Sequence, residues 1–118
     1  MATIKAYTTL EQSRKLAEIL PIESADMIYT MTNGYHTPFI RIETIQEMDK
    51  DDVCAWSLAA LLDMLPYPQL SKDKLGSGKE GWMVSVYPNN CRYDSCWHSN
   101  PVDSCVSMVE KLNVLNLL

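Results

Sequence analysis

Asn33-Gly34 alone separates two β-prone runs, residues 27–32 and 35–42. Both residues tolerate the positive φ of a type I′ turn, whose twist matches that of antiparallel strands. No other local signal in the chain constrains the fold as tightly. A lone hairpin is only marginally stable, so its apolar side chains need helices or further strands to cover them.

Three helices are signalled by their ends. Thr8 and Thr9 each start a capping box, with Glu11 and Gln12 three residues on, and Pro21 ends the first helix. Leu10, Leu16, Ala17 and Leu20 fall near one face of this helix, and Glu11 with Lys15 suits the other. Ser57 caps a second helix over 58–65, apolar around most of its circumference and therefore expected to be deeply buried. Asn100 followed by Pro101 opens the third, whose stripe is Val102, Cys105, Val106, Val109 and Leu112. The apolar tail, 114–118, is expected to pack back on the fold or on a second subunit.

Residues 82–87 read as a strand ended by Pro88, with a turn at Asn89-Asn90 and a more polar return over 91–98. Residues 66–81 show no periodicity and read as a long loop, mobile or functional. The expected class is therefore α+β, a single domain over 1–118. Its antiparallel sheet is built from two β-hairpins with three helices, in the order α-ββ-α-ββ-α.

Charge narrows the function. Ten basic against fifteen acidic residues leave −5, which disfavours a sequence-independent grip on nucleic acid. Much of the negative charge is local: Glu43, Glu47, Asp49, Asp51 and Asp52 stand against Lys50 alone, a solvated loop by this reading. The first residues lack the apolar run of a secretory signal, and the longest apolar stretch, 58–62, is far short of the ~20 residues that cross a bilayer. The expectation is a soluble cytoplasmic protein, with no membrane contact and with Cys54, Cys91, Cys96 and Cys105 as reduced thiols.

Gly76-Ser77-Gly78-Lys79-Glu80-Gly81 matches G-x-G-x-x-G, but a Pro-rich segment precedes it and a strand comes after it, the wrong order for a dinucleotide site. A P-loop fails as well, with Asp73 and Glu80 at two of its defining positions. No cofactor is implied. Cys91, Cys96, His98 and Cys105 are the best zinc candidates, although they lack the usual C-x2-C knuckles and alternation turns Cys91 away from Cys96 and His98. Cys96 or Cys105 with His98 is alternatively a thiol nucleophile with its base, the enzyme reading of this chain. Asp49, Asp51 and Asp52 lack the calcium-loop pattern. Tyr29, Tyr35, Tyr87 and Trp97 all lie on expected strands, and an uncovered sheet face would make them a protein-binding surface. The favoured reading is a small interaction or regulatory module with a protein partner or self-association.

Three segments carry a resemblance: Tyr7-Thr8-Thr9-Leu10-Glu11-Gln12-Ser13 leading to Glu23-Ser24-Ala25-Asp26-Met27; Ala55-Trp56-Ser57-Leu58 and the helix after it; and Trp97-His98 with Asn100-Pro101-Val102-Asp103-Ser104-Cys105-Val106. Together they resemble a group of small uncharacterised proteins of gut-bacterial phages and mobile elements. The resemblance implies an accessory gene product in a bacterial or phage cytoplasm, and it carries over no catalytic residue.

Overall fold

A computed structural model describes residues 6–40 and 50–118. In chain order, α1 spans Leu10–Leu16, β1 Met27–Thr32, β2 Tyr35–Ile40, β3 Val53–Ala55, α2 Leu58–Met64, β4 Gln69–Lys74, β5 Glu80–Val86, β6 Tyr93–Asp94 and α3 Pro101–Val114. Short 3-10 turns cover Ile22–Ser24 and Pro88–Asn90. This is an α+β fold. The expected strand end at 41–42 and most of the acidic run, residues 43–49, lie outside the described residues.

The described strands form two three-stranded antiparallel sheets, β2-β1-β3 and β4-β5-β6, where a single sheet was expected. The first hairpin forms as its turn residues require: Asn33 has φ 52 and Gly34 φ 84, with Met27 opposite Ile40 and Thr32 opposite Tyr35. The second differs from expectation. Residues 69–74, expected to be loop, are an edge strand paired along its whole length with β5, from Gln69–Ser85 to Lys74–Glu80. The glycine-rich segment is the turn of that hairpin. Gly78 adopts φ 83 and donates to the Leu75 carbonyl at 2.8 Å, while the Leu75 N–H donates to Lys79. The expected return strand over 91–98 shrinks to β6 and an isolated bridge between Trp82 and His98.

Between these two contacts the register slips. Ser85 faces Asp94 and Val86 faces Tyr93, yet Trp82 faces His98, so one extra residue is accommodated between Asp94 and His98. This is a β-bulge, and it breaks the even-odd alternation of side chains.

The helices start where their caps are. Thr9 Oγ1 accepts from the Gln12 N–H while Gln12 Oε1 accepts from the Thr9 N–H, completing the capping box of α1. Asn100 Oδ1 accepts from the Asp103 N–H at 2.9 Å, and Pro101 takes the first turn of α3. α3 rather than α2 is the central helix. Val102, Cys105, Met108, Val109 and Leu112 are all fully buried along it, packed on β5, α2 and α1. α2 is partly exposed: only Leu61 is fully buried, and Ala59 and Asp63 face solvent. Its apolar circumference is shared between core contact and surface, because a seven-residue helix at the edge of the core has one side to bury. In α1 the buried face includes Ser13 and Leu16, and Ala17 is exposed.

Trp56, fully buried, ties the first sheet to this core. Its backbone N–H donates to Thr8 Oγ1 at 3.1 Å and its carbonyl accepts from the Thr8 N–H, while Nε1 donates to Ser24 Oγ. Thr8 and Ser13 hydroxyls lie 2.7 Å apart, so the buried polar groups of this junction are satisfied. Asp26 accepts from both the backbone N–H and the hydroxyl of Ser57. In the tail, Leu117 returns to the core through its N–H bond to Leu112, but Val114 and Leu118 stay exposed.

Candidate functional site

The residues proposed for metal or thiol chemistry are dispersed. Cys105 lies on the buried stripe of α3, where removal from water pushes its thiol up to about 12, so it is no thiolate at neutral pH. Cys91 and Cys96 are exposed free thiols on the segment around β6. The bulge overturns the alternation that put Cys96 and His98 on one face: Asp94 opposes Ser85 and His98 opposes Trp82, two positions on opposite faces of β5. His98 Nε2 is buried without a hydrogen-bond partner, so that nitrogen is not paired with any cysteine. Among the described residues, no group of three or more His, Cys, Asp or Glu side chains is placed to hold a metal ion. Neither the Cys91, Cys96, His98, Cys105 cluster nor a thiol–imidazole dyad assembles.

Open depressions lie on the surface of the described residues. One lies beside Thr30 and Met31 with Lys50, Asp51 and Asp52, and another between Lys15, Ile19, Glu110 and Val114. Neither contains a cysteine or a histidine.

The polar residues around β6 serve structure. Asp94 accepts from Ser85 Oγ at 2.6 Å and from Arg92 Nε at 2.8 Å. These two bonds, the serine's first, hold its carboxyl below the usual carboxylate range. Lys111 Nζ donates to the Asp94 carbonyl, joining β6 to α3.

The aromatics divide. Tyr29 is buried and leaves the expected interaction surface: its hydroxyl donates to the Thr8 carbonyl at 2.7 Å and its ring meets Tyr7 edge-on. Burial, with Tyr7 secondary, raises its pKa and keeps it a neutral donor. Tyr87 is half-buried, with its hydroxyl toward Gln69. Tyr35 and Trp97 are exposed, at 76% and 40%.

Tyr35 has company that the aromatic pattern alone missed. Ile40 is 73% exposed, Phe39 49% and Met31 46%, all on the β1–β2 hairpin. In antiparallel register Met31 and Ile40 share one face, and Tyr35 and Phe39 the other. Among the described strands β2 pairs only with β1 and is the outer strand of its sheet, while its His36 Nε2 lies 3.1 Å from the Asp51 carbonyl; this β1–β2 hairpin is called the arm below. If a fully exposed aromatic side chain presents about 200 Å², Tyr35 and Phe39 offer about 250 Å² and the four residues about 450 Å². This area is divided between the two faces of the hairpin, about 250 Å² on one and about 200 Å² on the other, and contiguous exposed apolar surface of this kind is often functional. The signal was in the sequence: residues 27–40 contain no Asp, Glu, Lys or Arg in a chain that is 21% charged.

Strand addition is not what this arm is built for. Pro38 stands at the middle of β2, where it lacks the N–H that an added strand would need. The outer edge of the other sheet, β4, carries Lys72, Asp73 and Lys74 and is guarded by charge. The arm therefore offers side chains rather than backbone. No helix among the described residues is long and apolar enough to cross a membrane. No family model, curated protein or solved structure matches the chain.

Proposed function

We propose that this chain is a small protein-interaction module, a regulatory accessory of the kind that phages and mobile elements carry, and that it binds protein through the β1–β2 arm. One observation carries the reading: four large apolar side chains, Met31, Tyr35, Phe39 and Ile40, stand in solvent on an uncharged hairpin. Fully burying such a side chain is worth about 1.5–3 kcal/mol, and a bound partner recovers the fraction of it that their exposure forgoes. Exposed free thiols at Cys91 and Cys96 suit the reducing interior of a cell, so the module works in the cytoplasm.

The test is site-specific photocrosslinking in the cells that carry the gene. A benzophenone side chain at Tyr35 is expected to trap a protein in a discrete adduct, and the same group at Lys79, in the β4–β5 turn, is not. Absence of any adduct at Tyr35, with the protein folded, refutes the reading.

A further inference from the structure

We infer that Asn33 is a self-modification site, where attack by the Gly34 backbone nitrogen deamidates the side chain and silences the β1–β2 arm. The silencing rests on the arm being the binding surface, as proposed above; the chemistry does not. Asparagine is thermally labile where the next backbone nitrogen can lose its proton, reach Cγ and approach unhindered. Gly34 supplies all three conditions. A two-residue turn closes through its flanking pair, here Thr32 and Tyr35, and leaves the Gly34 N–H outside the ladder. A Cβ added at Gly34 would meet no atom within 4 Å, so nothing packs over the turn. Thr32, Asn33, Gly34 and Tyr35 are all exposed, and a hairpin end that buries so little opens at small cost. Opening frees Asn33 from the left-handed conformation of the turn, φ 52, and lets its backbone rotate until the glycine nitrogen reaches Cγ.

The other asparagines are poorer sites by the same criteria. Asn100 precedes Pro101, which has no N–H to act as the nucleophile. Asn89, Asn90, Asn113 and Asn116 precede residues whose side chains crowd the approach.

The atoms balance without a cofactor or an oxidant. The Gly34 nitrogen bonds to Cγ, the amide nitrogen leaves as ammonia with the proton that Gly34 gave up, and water opens the cyclic imide. Opening at Cγ leaves aspartate. Opening at the main-chain carbonyl leaves isoaspartate, which routes the chain through the side chain and adds a methylene to a turn of two residues. Either product puts a carboxylate beside Tyr35, within a run, 27–40, that otherwise has no formal charge. A partner that covers Tyr35 must then strip water from that carboxylate, which opposes binding.

Mass spectrometry of the full chain, aged in neutral to mildly alkaline buffer, tests the chemistry. The tryptic fragment 16–41 contains no asparagine but Asn33, so exchange of its amide NH2 for OH is read directly. In the folded chain Asn33 should convert faster than Asn89, Asn90, Asn113 or Asn116, faster still as pH rises, and within roughly tenfold of its rate in urea. The silencing is read by the Tyr35 photocrosslink in Asn33→Asp, a substitution that the type I′ turn accepts. With its fold checked by circular dichroism, this variant should give roughly tenfold less adduct than wild type.

An Asn33 that stays intact in the folded chain while the urea-unfolded chain converts, or that converts no faster than the other asparagines, overturns the inference and leaves the interaction reading standing. Conversion at Asn33 with an undiminished adduct in Asn33→Asp overturns the silencing. If wild type gives no adduct, the interaction reading falls and the silencing with it, and the mass alone decides the modification.

Discussion

Cys105 makes the stability of this protein fall at alkaline pH, by an amount set by its position. The thiol is fully buried among α3, β5 and α2, and its pKa moves from 9.0 to about 12. A raised pKa means that the folded chain holds the proton more tightly than the unfolded one. Below pH 9 both states keep it and the thiol contributes its full share. Above pH 9 the unfolded state ionises first, and stability falls by about 1.4 kcal/mol per pH unit until the folded thiol also titrates near 12. The loss is ~2 kcal/mol at pH 10.5 with a ceiling of ~4, a large part of the 5–15 kcal/mol typical of a domain. Burial raises the Tyr29 pKa as well, which also lowers stability at alkaline pH, so wild type alone does not isolate the effect. Urea denaturation between pH 8 and 11, under reductant, should therefore be run on wild type and on Cys105→Val, a similarly sized apolar side chain. The stability of wild type relative to the variant should fall as pH rises, by about 2 kcal/mol between pH 9 and 10.5. Curves that stay parallel refute the reasoning, and would mean that the thiol is hydrated or that α3 opens to let it ionise.

Three further outcomes rest on the same packing. Native protein should show two rapidly labelled thiols, Cys91 and Cys96, with Cys54 and Cys105 protected until unfolding, as counted by mass spectrometry after a pulse of iodoacetamide. Asn100→Ala removes the acceptor of the Asp103 N–H and should cost about 1 kcal/mol in urea denaturation. Ser85→Ala removes the leading stabiliser of the Asp94 carboxylate, so the Asp94 pKa tracked by NMR should rise toward its ordinary value. The stability drawn from that carboxylate is present above its ordinary range and lost as pH falls, so the variant should show a shallower acid slope.

What could be read in the chain came from local chemistry with few alternatives. Thr9, Ser57 and Asn100 all cap the helices they announced, and Asn33-Gly34 turns the hairpin between the strands it separates. The stripe on α3 is buried residue for residue. β4 escaped because Gln69–Lys74 has one apolar side chain, Leu70, and an edge strand guarded by charge carries no periodic signal. The expected pairing of β5 with the following segment survives as β6 and the His98 bridge, but with β4 unseen the longer pairing on the other side of β5 was missed and the glycines lost their role as a turn. The bulge before His98 is set by tertiary pairing, so alternation placed Cys96 and His98 on a common face that the fold does not provide. For the candidate site, aromatic content marked Tyr35 but marked Tyr29 equally. What separates them is the packing of Tyr7 and Thr8 over Tyr29, which joins positions 21 residues apart.

The uncharged arm has a second life before the chain folds. Fourteen β-prone residues without a formal charge are the kind of window through which nascent or heat-unfolded chains aggregate. Its sequence carries the countermeasures that guard such windows: Asp26 before it, Arg41 after it and Pro38 inside. Asp26 changes employment on folding. The carboxylate that keeps unfolded copies apart becomes the acceptor for the Ser57 N–H and hydroxyl, at the start of α2. Asp26→Asn should therefore lower the yield of soluble protein on refolding as well as the stability of what does fold.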